Sequence, residues 1–390
     1  MPPPTEPGAQ SPSGPSPSRL ERWFASTFVD GEARHFGSGW VAGVLGVFLG
    51  ALGCGAVLVL HFPGWLSSAE LRAAYPMPLM RALIDLVIGL GFLCACLNLL
   101  LRRQKRLGFV GLALTGMAIA LGGAAVEVDP APGGAVYLGL DWFLLSLLVL
   151  ALVFVPLERL FPRRPEQGVF RLGWVTDTAH FAVSHLAVQV LTFLSLWPAL
   201  TVAGELLEAP WRAAVAGLPL PVQVLAIMLV ADLTQYWVHR AFHAIPWLWP
   251  FHAVHHSSRA LDWLAGSRLH VVDVVVTRAL VVLPVFALGF AEPAVYTWLV
   301  IIGLHAVFIH GNLRWRLAWM EPLLATPRFH HWHHAVAPVD RNFAVHFPWL
   351  DRLFGTHHLP GDDWPAELGI GGDPVPEGFL AQLAYPFRRP

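Results

Sequence analysis

Charge is what this 390-residue chain has least of: 13% of its residues are charged and 55% are hydrophobic, where soluble domains carry roughly 25% charge. That excludes an ordinary soluble globule and leaves a membrane protein. The net charge of −1 leaves no electrostatic footprint for nucleic acid. Cysteine is scarce too. Cys54, Cys94 and Cys96 all fall inside apolar stretches, which argues against a disulfide framework or an iron–sulfur cluster and reads them as small apolar fillers. The sequence has no basic start followed by a short apolar run and a cleavage site, so no signal peptide is expected. It also lacks a Rossmann glycine pattern, a flavin fingerprint and a haem-binding cytochrome domain. Any redox chemistry would need electrons from another protein.

Apolar stretches of about 20 residues, enough to cross a bilayer, lie near 39–61, 79–101, 108–126, 137–156, 177–200, 220–238, 271–290 and 294–310. They predict an all-α, polytopic helical membrane protein. Arg278 and Pro284 interrupt the seventh stretch, which leaves the last pair open to a shortened or re-entrant hairpin. Residues 1–36, rich in Pro, Ser and Gly at their start, are expected to form a disordered lead-in. A four-span region (37–156), a catalytic region (157–360) and a C-terminal tail (361–390) follow. Arg102, Arg103, Lys105 and Arg106 succeed the second span, and Arg159, Arg163, Arg164 and Arg171 the fourth, whereas EVDPAPGG after the third has no basic residue. Basic loops stay inside, so both termini and the end of the sixth span are expected in the cytoplasm.

Histidine is abundant, and it is clustered. Of 19 histidines, fifteen lie between His239 and His358, with three groups reading HRAFH (239–243), HAVHH (252–256) and HHWHH (330–334). Residues three and four apart share a helix face. His239 with His243, His252 with His255 and His256, and His330 with His333 and His334 therefore each form one ligand face, while His331 points elsewhere. Imidazole is the commonest nitrogen ligand for transition metals. Eight of them exceed the four ligands of a structural zinc site, which predicts two metal ions with open positions. No group contains the glutamate of a zinc-hydrolase HExxH motif. A histidine-rich metal-binding or transport protein and a zinc-dependent membrane hydrolase remain the alternatives, but all three groups are expected on one membrane face, which suits a single site better than a transport path.

Ligating histidines usually hand their second ring nitrogen to an acid or a carbonyl. Asp232, two helical turns before His239, is the candidate for that task, because an acid at that depth is costly without a purpose. Asp340 and Asp351 are candidates for bracing the third group. His305 reads as a packing histidine, His346 has no motif context, and His357 and His358 read as an exposed tail. Trp237, Trp247, Trp249, Trp315, Trp319 and Trp332 surround the groups as an interfacial belt.

The text ERLFP (158–162), RLGWVTD (171–177), DLTQYWVHRAFH (232–243), LWPFHAVHHSS (248–258), HGNLRW (310–315), TPRFHHWHH (326–334) and LDRLFGT (350–356) resembles the fatty acid hydroxylase/sterol desaturase superfamily over residues 155–360. The resemblance implies an integral-membrane, dioxygen-dependent non-haem oxidoreductase that hydroxylates or desaturates a lipid. It implies two iron ions on the eight box histidines, replaceable by zinc on purification, and adds His310 as a further ligand. It also implies a separate electron donor (a reductase, a ferredoxin-like protein or a cytochrome b-type protein). The family often places His-Pro and an acid after the second box. Here SRLHVVD has Val271 for the proline and Asp273 as the nearest acid, so His270 stands open as an outer ligand, an orienting group or a helix cap.

Overall fold

The computed structural model describes residues 37–128, 137–203, 209–315, 318–372 and 375–388. The expected lead-in (1–36) and the turn at Gly133 lie outside these residues. The described chain is helical, and its long helices are those that the apolar stretches foretold.

Four long helices come first: α1 (Trp40–His61), α2 (Met77–Leu101), α3 (Arg106–Ala120) and α4 (Leu140–Leu160). Small residues let the first three approach closely, as membrane helices do when no water drives them together. A Cβ on Gly46 would stand 2.9 Å from the backbone nitrogen of Ala95, so only glycine fits there. Buried Asn98 ties the same three helices: its Nδ2 donates to Gly39 O at 2.9 Å and its Oδ1 accepts from Gly108 N at 2.9 Å.

The stretch expected as one span at 177–200 is a bent pair. Trp174–Leu186 (α5) and Val188–Ala203 (α6) meet at a 64° bend. Leu220–Ala244 (α7), Val271–Leu288 (α9) and Glu292–His310 (α10) are each long and apolar enough to cross a membrane. Arg278 and Pro284 lie within continuous helix. These three helices pack through Ile227, Ala231, Val281, Val285, Ala294 and Trp298.

The chemistry-bearing segments are short helices at one end of this bundle: α8 (Trp249–His256), α11 (Pro327–His333) and α12 (Pro348–Leu353), each with proline in its first turn. Proline there loses no hydrogen bond and starts a helix abruptly. Thr326 caps α11, accepting from Phe329 N. The last helix, α13 (Phe379–Arg388), folds back against α5 and α8. Of the six tryptophans, Trp237, Trp247 and Trp319 are exposed, whereas Trp332 is buried.

Candidate metal centre

α7 delivers His239 and His243 on its last turns, α8 delivers His252, His255 and His256, α10 ends on His310, and α11 with its cap carries His330, His333 and His334. Their ring nitrogens converge in two sets. His239, His243, His252, His256 and His333 form the first, and His255, His310, His330 and His334 the second, each with its donor atoms within 4.8 Å of one another. The sets adjoin: the rings of His256 and His334 lie 4.4 Å apart.

The spacing within each set fits a shared ion. Nε2 atoms lie 3.0 Å apart for His239 and His252, 3.1 Å for His243 and His256, 2.9 Å for His310 and His330, and 3.2 Å for His255 and His310. Two nitrogens each about 2.0–2.1 Å from one ion, at right angles, stand about 3 Å apart. Nε2 of His333 is buried with no hydrogen-bond partner. Burial, and then the neighbouring imidazoles, hold His255, His256, His330, His333 and His334 well below the ordinary imidazole pKa. All five are thereby kept neutral, as ligands must be.

Behind the rings stand partners that fix their tautomers. Nδ1 of His252 donates to Asp273 Oδ2 at 2.7 Å and that of His243 to Asp340 Oδ1 at 3.1 Å. Those of His239 and His333 donate to Phe343 O and Arg341 O, at 2.8 and 2.7 Å. In the second set His255 donates to Arg268 O at 3.1 Å and His310 to Ala306 O at 2.6 Å. A Cβ on Gly266 would come within 3.0 Å of the His310 ring, so that loop too is shaped around a ligand candidate.

Several expectations need correction. Asp232 does not touch His239; its carboxylate accepts from Val345 N and Phe347 N at 2.8 and 2.7 Å. Asp351, fully buried, accepts from Phe343 N and Ala344 N. The two acids clamp the loop whose carbonyls hold His239 and His333, so they act on the rings one step removed. Asp340 braces the first box rather than the third. Of the roles open to His270, the structure shows the cap of α9, its Nδ1 accepting from Val272 N and its Nε2 donating to Leu383 O, and it belongs to neither set. His357 and His358 are half-buried rather than exposed; His358 N donates to Asn342 Oδ1 at 2.7 Å. As expected, His331 lies off both sets, with Nε2 on Gly311 O. His305 and His346 pair with each other, Nδ1 to Nδ1 at 2.8 Å.

No local pattern announces the buried ion quartet beside the second set. Arg171 grips Asp262 at 2.7 and 2.8 Å and Asp177 at 2.6 Å, and Arg268 pairs with Asp177. This quartet fixes the segment whose Arg268 carbonyl receives His255. Glu158, at the end of α4, accepts from both Trp263 N and Asn312 N and so joins the first bundle to the site.

A family model described as fatty acid hydroxylase matches residues 224–356. The chain is 30% identical over 264 residues to the ornithine lipid hydroxylase OlsE of Rhizobium tropici, covering 64% of this chain and 76% of that protein. It is 30% identical over 154 residues to methylsterol monooxygenase 1-2 of Arabidopsis thaliana, 36% of this chain and 50% of that protein. Over 213 residues it is 30% identical to the alkylglycerol monooxygenase of Danio rerio, 47% of this chain and 43% of that protein. No solved structure matches the chain.

Proposed function

As a member of the fatty acid hydroxylase family, this multi-pass membrane protein is a lipid-modifying enzyme of the oxygenase type, and we propose that its nine clustered histidines hold two iron ions. The observation that carries this reading is the division of those histidines into two adjoining all-nitrogen sets with ligand-like spacing. Iron bound there would supply dioxygen activation and an oxidant able to break an unactivated C–H bond. Zinc would occupy the same nitrogens in protein purified without iron.

The chain's own residues supply position and exclusion. His239, His243, His252, His255, His256, His310, His330, His333 and His334 are the proposed ligands. Asp273, Asp340 and the carbonyls of Phe343, Arg341, Arg268 and Ala306 hold their rings. Burial of the sets keeps bulk water from the reacting carbon. The relatives are named for an ornithine lipid, methylsterols and alkylglycerols, and the proposed substrate class is likewise a lipid with an apolar body and a polar end. Its body lies among the helices and its head at the interface.

Hydroxylation joins one oxygen atom of dioxygen to carbon and reduces the other to water, using two electrons and two protons; desaturation removes two hydrogens from the lipid and, with the same two electrons and two protons, reduces both oxygen atoms to water. A separate reductase, ferredoxin-like protein or cytochrome b-type protein is the proposed electron source. The basic segments after α2 and α4 support a cytoplasmic metal centre and cytoplasmic termini, with residues 37–156 as a four-span region and 157–360 as the catalytic region. Cysteines introduced after α2 and α4 and near Arg259 are expected to resist an impermeant thiol reagent in intact cells.

The test of function is a lipid comparison of cells with and without the gene, under air and without it, paired with elemental analysis of the purified protein. A lipid gaining one oxygen or losing two hydrogens, only under air, is expected. Full activity in metal-free or oxygen-free protein would sink the reading.

A further inference from the structure

The two histidine sets differ in what stands behind the rings. In the first, four of five rings have an outer hydrogen bond, and two of the acceptors are carboxylates: Asp273 on His252 and Asp340 on His243. Asp273 is buried and is itself held by Thr277 Oγ1 at 3.0 Å. In the second set, among the described residues, only His255 and His310 have outer hydrogen bonds, both to backbone carbonyls. Nδ1 of His330 and Nδ1 of His334 are buried with no hydrogen-bond partner. The first set also offers five nitrogens against four in the second.

Each of these differences acts in the same direction. A carboxylate on Nδ1–H draws the proton outward and leaves Nε2 a stronger donor, while fixing the ring's plane. Rings without such a partner donate less and must be oriented when the ion binds. The anionic charge of Asp273 and Asp340 also favours a cation beside the first set rather than the second.

Resting on the two-metal reading above, we propose that the two positions are unequal by construction: the first set fills first and holds tightly, the second fills last and empties first, and Asp273 is the positioning residue that sets most of the difference. Asp340 contributes less, because its side chain is 62% exposed and solvent screens its charge. The protein therefore has a singly loaded state, and full turnover follows occupancy of the second set.

The test uses the full-length protein in detergent, stripped with dipicolinate and titrated with Co²⁺, followed by visible absorption and equilibrium dialysis. Two equivalents are expected to bind in two steps, the first at least about 10-fold tighter. His333→Ala should remove the first step and His330→Ala the second. Asp273→Asn should weaken the first step by about 10–100-fold and leave the second unchanged, merging the two. Asp340→Asn should do the same to a smaller extent. Two equivalents binding with one constant would overturn the inequality, as would a tight step that survives His333→Ala and disappears in His330→Ala. Fewer than two equivalents in the unaltered protein would instead overturn the two-metal reading itself. The unaltered protein's titration stands even where a variant fails to fold.

Discussion

Where α1 meets α2, Gly46 lies against the backbone of Ala95 and nothing larger than hydrogen fits. Around α7, α8 and α11 the joints include hydrogen bonds and ion pairs: Asp232 and Asp351 on the 343–347 backbone, and the Arg171–Asp177–Asp262–Arg268 quartet. Close apolar packing brings helices together but specifies no direction for a side chain. A ring nitrogen aimed at an ion needs an angle as well as a place, and buried polar partners supply that angle. The two halves therefore fail differently when altered.

The largest separation between them is expected from the histidines. His255→Ala or His333→Ala should abolish product formation and lower bound metal, whereas His331→Ala should leave metal content near normal; elemental analysis with lipid mass spectrometry reads both. Equal metal loss in the two kinds of variant would refute the division into ligand sets.

Acidification should separate the halves next. His255, His256, His330, His333 and His334 have pKa values below their unfolded value of about 6.5 because burial, then neighbouring imidazoles, disfavours the charged form. Their contribution to stability is present above that value and is lost as pH falls toward the folded values, because the unfolded chain takes up protons that the buried rings refuse. Each can cost up to about 1.4 kcal/mol per pH unit. Metal-free protein should thus melt progressively lower from pH 6.5 downward, and a melting temperature flat to pH 5 would contradict this.

Asp177→Ala leaves the buried Arg268 guanidinium without a carboxylate and Arg171 with Asp262 alone, and should cost about 3–5 kcal/mol, with protease sensitivity appearing in the second half before the first. Gly46→Leu should cost about 1–3 kcal/mol from overpacking. In molecules that still fold, its metal content should be unchanged. Loss of metal in Gly46→Leu would mean that the first bundle shapes the site directly.

The same contrast explains what could be read from the sequence. Spans and histidine faces repeat at helical spacing, so seven long helices and the three histidine groups were legible, though neither their division into two sets nor the 64° bend between α5 and α6 was. Asp273 was visible as the nearest acid but not as the partner of His252. Arg171 and Asp262 are far apart in the chain, and no local pattern announces a pair that only folding creates. Asp232 was rightly singled out as an expensive buried acid; its direction toward Val345 and Phe347, rather than His239, depends on a loop that carries no periodic signal. His270 followed its local role as a cap, because the first turn of α9 leaves a backbone N–H to satisfy.

α13 gives the site a schedule. Gln382 lies 2.9 Å from His180 and Leu383 O receives His270, so this helix pins α5 to the start of α9. Every proposed ligand leaves the ribosome before α13 does. The histidine-bearing helices are therefore made while that clasp is still unmade, and the frame around them closes only after the last of them. A chain stopped short of Phe379 would carry every proposed ligand and an open frame.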